Sequence, residues 1–212
     1  SIKLSYNVTS LYSALFYDCE NLTDISLGNN ITEIYFDTFD NSGFANDDSN
    51  YENGVLYLNN YLIKAKTNEI SGEYAIKDGT KVIADWAFID CTNLTSVSIP
   101  TSVKYIGQKA FMNCGLTEIT VPANVIEIGN NALGYKKDPP HIPMTGLKSF
   151  SNVPNYIINN FVITGYSDTE ADRYANKYGY FKFVSLGIFE CDHSDTITRN
   201  ISEADCYRTG YT

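Results

Sequence analysis

The chain repeats one short pattern at a nearly constant interval, and this repetition constrains its fold more than any other feature. Leu94–Pro100 is followed by the matching segment Leu116–Pro122, and Ala87-Phe88 returns as Ala110-Phe111, 23 positions later. Positions 83, 106 and 128 are all isoleucine, at intervals of 23 and then 22. A fixed period of this length is typical of a solenoid in which each repeat forms one coil.

The residues within a repeat explain why the coils should stack. Val97 and Ile99 alternate with serines, which is the period of a half-buried strand. Pro100 should end the strand because it lacks the backbone N–H, and Gly107 is interpreted as a turn in the same coil. One coil cannot bury its own apolar side, so neighbouring coils should stack about 4.7–4.9 Å apart around a continuous core.

An insertion of about residues 40–70 interrupts the repeats. It separates the early copy Leu22–Leu27 from a weaker copy at Tyr74–Lys77. The apolar segments Val55–Leu58 and Tyr61–Lys64 flank Asn59-Asn60, which predicts a β-hairpin standing on one edge of the solenoid.

A strand–helix–strand cap is predicted at about residues 147–186, after a loop rich in Pro and Asn at 134–160. Such a cap would cover the last coil, whose core and strand edge are otherwise exposed. The expected elements are a strand at Phe161–Thr164, a helix from Asp168 to Tyr178 with a capping box formed by Ser167 and Glu170, Gly179 as helix terminator, and a strand at Lys182–Val184.

Ile99–Ile119 carries the pattern Ile-Pro-x-x-Val-x-x-Ile-Gly-x-x-Ala-Phe-x-x-Cys-x-x-Leu-Thr-x-Ile, with one residue deleted after Cys114. This pattern resembles the BspA-type leucine-rich repeat. The resemblance implies an α+β repeat solenoid, a right-handed coil of short strands, over residues 1–186, followed by a Cys- and His-containing tail at 187–212. It also implies a surface or secreted protein of gut or oral bacteria, with adhesion or host-protein binding in some members.

Composition and charge exclude several partner classes. The net charge is −10 and the isoelectric point about 4.6, which argues against nucleic acids and anionic membrane surfaces. The sequence contains no apolar run long enough to span a bilayer. The composition agrees with the extracellular location, secreted or displayed on a cell surface, that the resemblance implies, and we expect no membrane insertion.

No catalytic or cofactor motif occurs in the sequence. Neither His141 nor His193 has a nucleophile at a recognisable spacing, and both a Gly-rich phosphate loop and a His-Glu-x-x-His motif are missing. We expect no enzymatic activity and no cofactor. Cys19, Cys91 and Cys114 share one repeat position, which favours buried thiols that act as small hydrophobic groups.

Two sequence clusters have both a metal-binding and a structural interpretation. In the tail, Cys191, His193 and Cys206 supply three ligands where zinc needs four, so an irregular tail or a Cys191–Cys206 disulfide is favoured. Residues 47–52 contain three carboxylates that could hold calcium, but their spacing differs from the EF-hand, and a solvated turn is favoured. No metal site is assigned.

The candidate binding residues lie on the solvent side of the repeat strands, where side chains should stack into columns from coil to coil. The resulting face would be small, polar and mildly acidic, although short polar side chains could also simply solvate a sheet. Its candidate residues are Asp24, Ser26, Glu73, Ser96, Ser98, Glu118 and Thr120. A competing contact site is formed by Tyr51, Tyr57 and Tyr61 of the hairpin, some of which could instead pack the hairpin itself.

Three functions remain open at this stage. The first is an adhesion or protein-binding module with an extracellular protein or glycan as partner. The second is a spacer that displays a neighbouring domain. The third is a carbohydrate-binding module, which would require exposed aromatic rings beside a cleft.

Overall fold

The computed structural model describes residues 1–136, 156–158, 160–177 and 179–189. Over these residues the chain forms a β-solenoid of about 7 turns with little helix, which confirms the predicted fold class. None of the helices in these ranges is both long and apolar enough to cross a membrane. Tyr178, His141, Cys191, His193 and Cys206 lie outside the described residues, and the boundary between the solenoid and the tail remains a prediction.

Two coils form the N-terminal part of the molecule. β1 pairs in parallel with β3, and β2 pairs in parallel with β4, as expected for stacked repeats. The elements are β1 (Ile2–Lys3), β2 (Ser10–Leu11), β3 (Ile25–Ser26), β4 (Glu33–Ile34), α1 (Gly43–Asn46) and a 3-10 turn at Asp48–Asn50.

The inserted hairpin has the predicted strands and turn, but it is packed between two hydrophobic cores and does not stand on one edge of the solenoid. Its strands are β5 (Tyr51–Glu52), β6 (Val55–Leu58) and β7 (Tyr61–Ala65), and β6 pairs antiparallel with β7 around Asn59, whose φ is 54°. A positive φ is tolerated by Asn, and it gives the turn the twist that joins the two strands.

Three regular coils follow the hairpin. They consist of β8 (Gly72–Ala75), β9 (Val82–Ile83), β10 (Leu94–Ser98), β11 (Tyr105–Ile106), β12 (Glu118–Thr120) and β13 (Glu127–Ile128). The repeated Ala-Phe position links successive coils, because Phe88 donates its N–H to Ala110 O at 2.7 Å and Phe111 donates to Ala132 O at 3.0 Å. The rings of Phe88 and Phe111 stack 5.2 Å apart.

The C-terminal cap has the predicted strand–helix–strand order, but its helix begins later than expected. The elements are β14 (Tyr135–Lys136), β15 (Tyr156–Ile157), β16 (Val162–Ser167), α2 (Glu170–Asn176) and β17 (Lys182–Ile188). The predicted capping box is wrong. Ser167 is the last residue of β16, and the N-cap is Thr169, whose hydroxyl donates to Tyr166 O instead of capping the helix. The parallel pairing of β16 with β17 extends the strand and so delays the helix.

One sheet packs against both the N-terminal coils and the regular coils. It has six strands in the order β13-β11-β9-β7-β6-β5, so the hairpin continues the sheet that the regular coils build. On one side of it, Val55, Leu62 and Ile83 belong to the core of the regular coils and the cap. On the other side, Leu56, Leu58, Tyr61, Ile63, Val82 and Ala84 pack against the N-terminal coils. The hairpin therefore lies between two hydrophobic cores.

The repeated cysteine position has a mixed outcome. Cys91 and Cys114 are buried, and the Cys114 thiol donates a hydrogen bond to Phe88 O at 3.1 Å. Burial raises the pKa of the Cys91 thiol to about 11, which makes it a poor nucleophile. Cys19 is exposed, contrary to the prediction, although the next coil contacts its backbone through the Gly43 N–H at 3.1 Å.

Gly107 begins a turn, as predicted, because Ala110 donates its N–H to Gly107 O at 3.3 Å. Its φ is not in the positive range, so the turn alone does not require a glycine. A Cβ atom at this position would lie 2.5 Å from the backbone nitrogen of Asp85 and 2.6 Å from the carbonyl carbon of Ala84. The glycine therefore permits two coils to approach closely.

We expect Gly107→Ala to lower the free energy of unfolding by about 1–3 kcal/mol, because the added methyl group must displace the backbone of the neighbouring coil. Urea denaturation monitored by circular dichroism measures the change. Gln108→Ala, at the adjacent exposed position, is the matched control and should be close to neutral. Equal stabilities of the two variants would contradict the close-approach explanation.

Candidate functional site

Part of the predicted strand face is present in the structure. β8 and β10 pair in parallel, with Glu73 opposite Ser96 and Ala75 opposite Ser98, and β12 lies beside β10. All four of these side chains are exposed, as are Glu118 and Thr120 on β12. The columns predicted from the repeat period are therefore present between β8 and β10, whereas the continuation of these columns to Glu118 and Thr120 on β12 stays a prediction.

Asp24 and Ser26 do not belong to this face, and the prediction that they continue it is wrong. Both are exposed, but the described partner of β3 is β1, which places Ser26 opposite Lys3. The hairpin is inserted in the sequence between the N-terminal coils and the regular coils. The repeat period continues across this insertion, but β3 and β8 belong to separate sheets.

The cap extends the face at its other end. β12, β16 and β17 form one parallel sheet, in which Glu118, Val162 and Lys182 are aligned, as are Thr120, Thr164 and Val184. We name the exposed side of β8, β10, β12, β16 and β17 the strand face. The repeat period did not indicate β16 and β17, because their segments do not carry the repeat pattern.

The hairpin tyrosines are largely structural. Tyr61 is 1% exposed and donates its hydroxyl to Gly28 O at 2.7 Å, so its assignment to an exposed contact site is wrong. Tyr57 is half-buried and its hydroxyl lies 3.2 Å from that of Tyr74. Tyr51 is also half-buried and donates to Ala45 O at 3.0 Å.

The acidic segment at residues 47–52 forms a turn. Asp47 accepts a hydrogen bond from the N–H of Ser49 at 2.9 Å, which is the expected role of Asp in a turn. Asp48 and Glu52 form ion pairs with Lys66 and Lys77, each at 2.7 Å. In the described part of the chain no group of three His, Cys, Asp or Glu residues is arranged to hold a metal ion.

A cleft that sequence analysis did not predict lies where the N-terminal coils meet the outer side of the six-stranded sheet. Its volume is about 170 Å³. The backbone joins its two sides, since Asp85 donates its N–H to Ile34 O at 2.9 Å. Its polar lining consists of Thr32, Glu33, Tyr35, Asp85, Tyr105, Gln108, Glu127 and Asn130. We name this feature the junction cleft.

Aromatic residues lie beside the junction cleft. Tyr12 lies 5.5 Å from Tyr35, measured between ring centroids, and Phe36 stacks on Trp86 at 4.2 Å. Lys109 lies 5.0 Å from the centroid of the Trp86 ring. One feature of the sequence could have indicated this site. Trp86, the single tryptophan of the chain, occupies a repeat position at which the following coils have the polar residues Lys109 and Asn131.

Asp85 is the most perturbed carboxylate of the junction cleft. Burial raises its pKa to about 6, the hydrogen bond from the Gln108 N–H at 2.7 Å opposes that rise, and nearby Glu33 adds to it. The negative charge of Glu33 also raises the pKa of Tyr35. The junction cleft is therefore a site of negative potential.

Comparison with known proteins identifies the repeat. The pattern of the BspA type leucine rich repeat region matches residues 1–74 and 66–163, with 6 copies in total. The chain belongs to this family.

Two solved structures resemble this BspA-type chain at low identity. A leucine rich cell surface protein from Faecalibacterium prausnitzii A2-165 is 18% identical, with a TM-score of 0.29, over 63% of this chain and 58% of that one. The pneumococcal vaccine antigen PcpA is 11% identical, with a TM-score of 0.26, over 89% of this chain and 67% of that one. The chain thus spans less than two thirds of the first structure, and no curated protein matches it.

The role of Asp85 leads to a pH-dependent prediction. Its pKa is higher in the folded than in the unfolded state, so its ionised form opposes folding above about pH 6, and this effect disappears as the pH falls towards 4. Asp85→Asn keeps an acceptor for the Gln108 N–H without the charge. After allowance for partial exposure, we expect the variant to be about 1–2 kcal/mol more stable than the parent at pH 7.5 and equal to it at pH 4.

Urea denaturation at the two pH values tests this expectation, with Asp24→Asn as the control for an exposed carboxylate. Lower stability of Asp85→Asn at both values would show instead that the charged hydrogen bond stabilises the fold.

The buried hydroxyl of Tyr61 leads to a second prediction. Tyr61→Phe removes the donor to Gly28 O and the oxygen that lies 3.4 Å from the N–H of Ile31. We expect the free energy of unfolding to fall by about 1–2 kcal/mol, because buried polar groups lose their partner. The exposed Tyr12→Phe is the control, and an unchanged melting temperature for Tyr61→Phe would be the contrary result.

Proposed function

We propose that this protein is a secreted or surface-displayed binding module that acts without catalysis and recognises an extracellular protein through the strand face. The observation that carries the proposal is the extent of this face: parallel register joins β8 to β10 at one end and β12 to β16 and β17 at the other, and β12 lies beside β10. Strand faces of solenoids provide extended binding surfaces in many repeat proteins.

The side chains of the strand face favour a protein partner. Ser96, Ser98 and Thr120 are short and lie on strands held by a parallel ladder or by neighbouring coils. Little side-chain entropy is lost when such residues are immobilised, and this lowers the cost of forming a large flat interface. A deep pocket is not needed for this kind of recognition.

The charges of the face support a partner with basic residues. On the repeat strands Glu73 and Glu118 are exposed, Lys182 is an exposed cation at the cap end of the face, and the whole chain has a net charge of −10. Complementary charge would accelerate association and select among partners more than it would increase affinity. Family membership and the acidic composition together support a location outside the cell.

Binding of the protein to immobilised extracellular-matrix proteins and mucins, measured by biolayer interferometry, tests this function. The variant Glu73→Lys/Glu118→Lys reverses the charge of the face, and we expect it to weaken a micromolar or tighter interaction by about tenfold or more. Asp24→Lys is the matched control, because Asp24 is an equally exposed carboxylate on the separate β1-β3 sheet.

Binding that is lost in the double variant and kept in the control would support the strand face. An interaction unaffected by the double variant would place the protein site elsewhere. Lack of binding to every matrix protein and mucin would contradict the proposed function and favour a spacer.

A further inference from the structure

The junction cleft is separate from the strand face, and its composition indicates a different ligand. Its volume of about 170 Å³ leaves space for roughly five or six water molecules, and a single sugar ring would fill a comparable volume. It combines aromatic side chains with several polar groups, which is the usual composition of a small-molecule site.

The carboxylates of the cleft are spread out and do not converge on one point. Glu33 already accepts a hydrogen bond from the Ser10 hydroxyl at 2.9 Å, and Asp85 accepts one from the Gln108 N–H at 2.7 Å. Glu127 lies on β13, two strands away from β9 in the sheet. Acceptors distributed in this way suit a ligand that carries several hydroxyl donors better than a single cationic group.

The aromatic rings beside the cleft supply an apolar surface. Tyr12 is 64% exposed and Phe36 is 41% exposed, so both rings have free surface even though each contacts another ring. Tyr12 contacts Tyr35, which lines the cleft, and Phe36 follows Tyr35 directly in the chain. Each exposed ring is thus linked to the lining residue Tyr35, Tyr12 by contact and Phe36 by the chain, and exposed aromatic rings beside a polar cleft are typical of a contact site.

We propose that the junction cleft binds a neutral saccharide. Hydroxyl groups of one sugar residue would donate to the cleft carboxylates, and the C–H face of the same or the next residue would lie on the Tyr12 and Phe36 rings. Among the described residues, those that line the cleft include three carboxylates, Glu33, Asp85 and Glu127, and no Lys, Arg or His, while Lys109 and Lys177 lie only at its edge. Sialylated and sulfated glycans are therefore disfavoured by charge.

Trp86 provides a direct reporter for this site. It is the single tryptophan of the chain. In the sequence it directly follows the cleft residue Asp85, and in the structure its ring stacks on Phe36. The experiment is a titration of the purified protein with maltotriose, cellotriose, chitotriose and lactose, with tryptophan emission as the readout. 3′-Sialyllactose tests the charge selection, and tetralysine tests a cationic ligand.

We expect at least one neutral oligosaccharide to shift the emission of Trp86 with a saturable dissociation constant, and 3′-sialyllactose to bind at least about tenfold more weakly than lactose. Tyr12→Ala and Glu33→Gln should each weaken the neutral sugar by about tenfold or more. Tyr6→Ala is the matched control, because Tyr6, at 70%, is exposed like Tyr12, whereas the Tyr12 ring contacts the cleft residue Tyr35. Circular dichroism establishes that each variant is folded.

Three results would overturn the proposal. They are the absence of any response to the neutral sugars at millimolar concentration, saturable binding of tetralysine in their place, and sugar binding that survives both Tyr12→Ala and Glu33→Gln. The variant Glu73→Lys/Glu118→Lys should bind the sugar normally. Failure of protein binding at the strand face and failure of sugar binding in the junction cleft are thus distinguishable.

Discussion

Burial of one sheet on both of its sides is the constraint on which the rest of this structure depends. Apolar side chains along β6, β7 and β9 point alternately to two sides of the sheet. One side packs in the core of the regular coils and the other in the core of the N-terminal coils. A sheet with two apolar sides must be covered twice. The hairpin is therefore an integral part of the solenoid. It packs between the N-terminal coils and the regular coils, and the hydroxyl of Tyr61 donates a hydrogen bond to the backbone of Gly28 in the N-terminal coils.

The same sheet also explains the position of the junction cleft. Val82 and Ala84 are covered by the N-terminal coils, whereas the equivalent side of β11 and β13 presents Tyr105 and Glu127, which line the cleft. The cleft begins where the outer side of the sheet changes from apolar to polar. Its opposite side is formed by β4, whose Ile34 O accepts the N–H of Asp85 at 2.9 Å, so the cleft lies where the N-terminal coils join the sheet.

Sequence periodicity predicted the features that arise within one stack. The parallel columns of β8 and β10, the hairpin strands and the cap order all follow from local patterns and from contacts between coils one period apart. Periodicity gave wrong predictions for residues whose structural neighbours are not one repeat away in the sequence. Asp24 was assigned to the wrong sheet, Tyr61 was placed on the surface, and Ser167 was taken for a cap, because the hairpin and the extended β16 change which strands are adjacent. The junction cleft could not be predicted for the same reason, since its two sides are contributed by β4 and by β9, β11 and β13.

Ligand specificity in a repeat protein is expected at positions that break the repeat. Conforming positions such as Ala110 and Phe111 are occupied for packing between coils, and their side chains are buried. Trp86 and Asp85 stand where the next coil has Lys109 and Gln108, and the residue stacked on Trp86, Phe36, is partly exposed. Packing within the coil does not require a tryptophan there, because the other coils are built without one. The departures from the repeat thus collect at one edge of the cleft, while the strand face keeps the regular short polar residues. A broad, shallow contact surface and a small, chemically selective cleft can therefore coexist on one scaffold and change independently of each other.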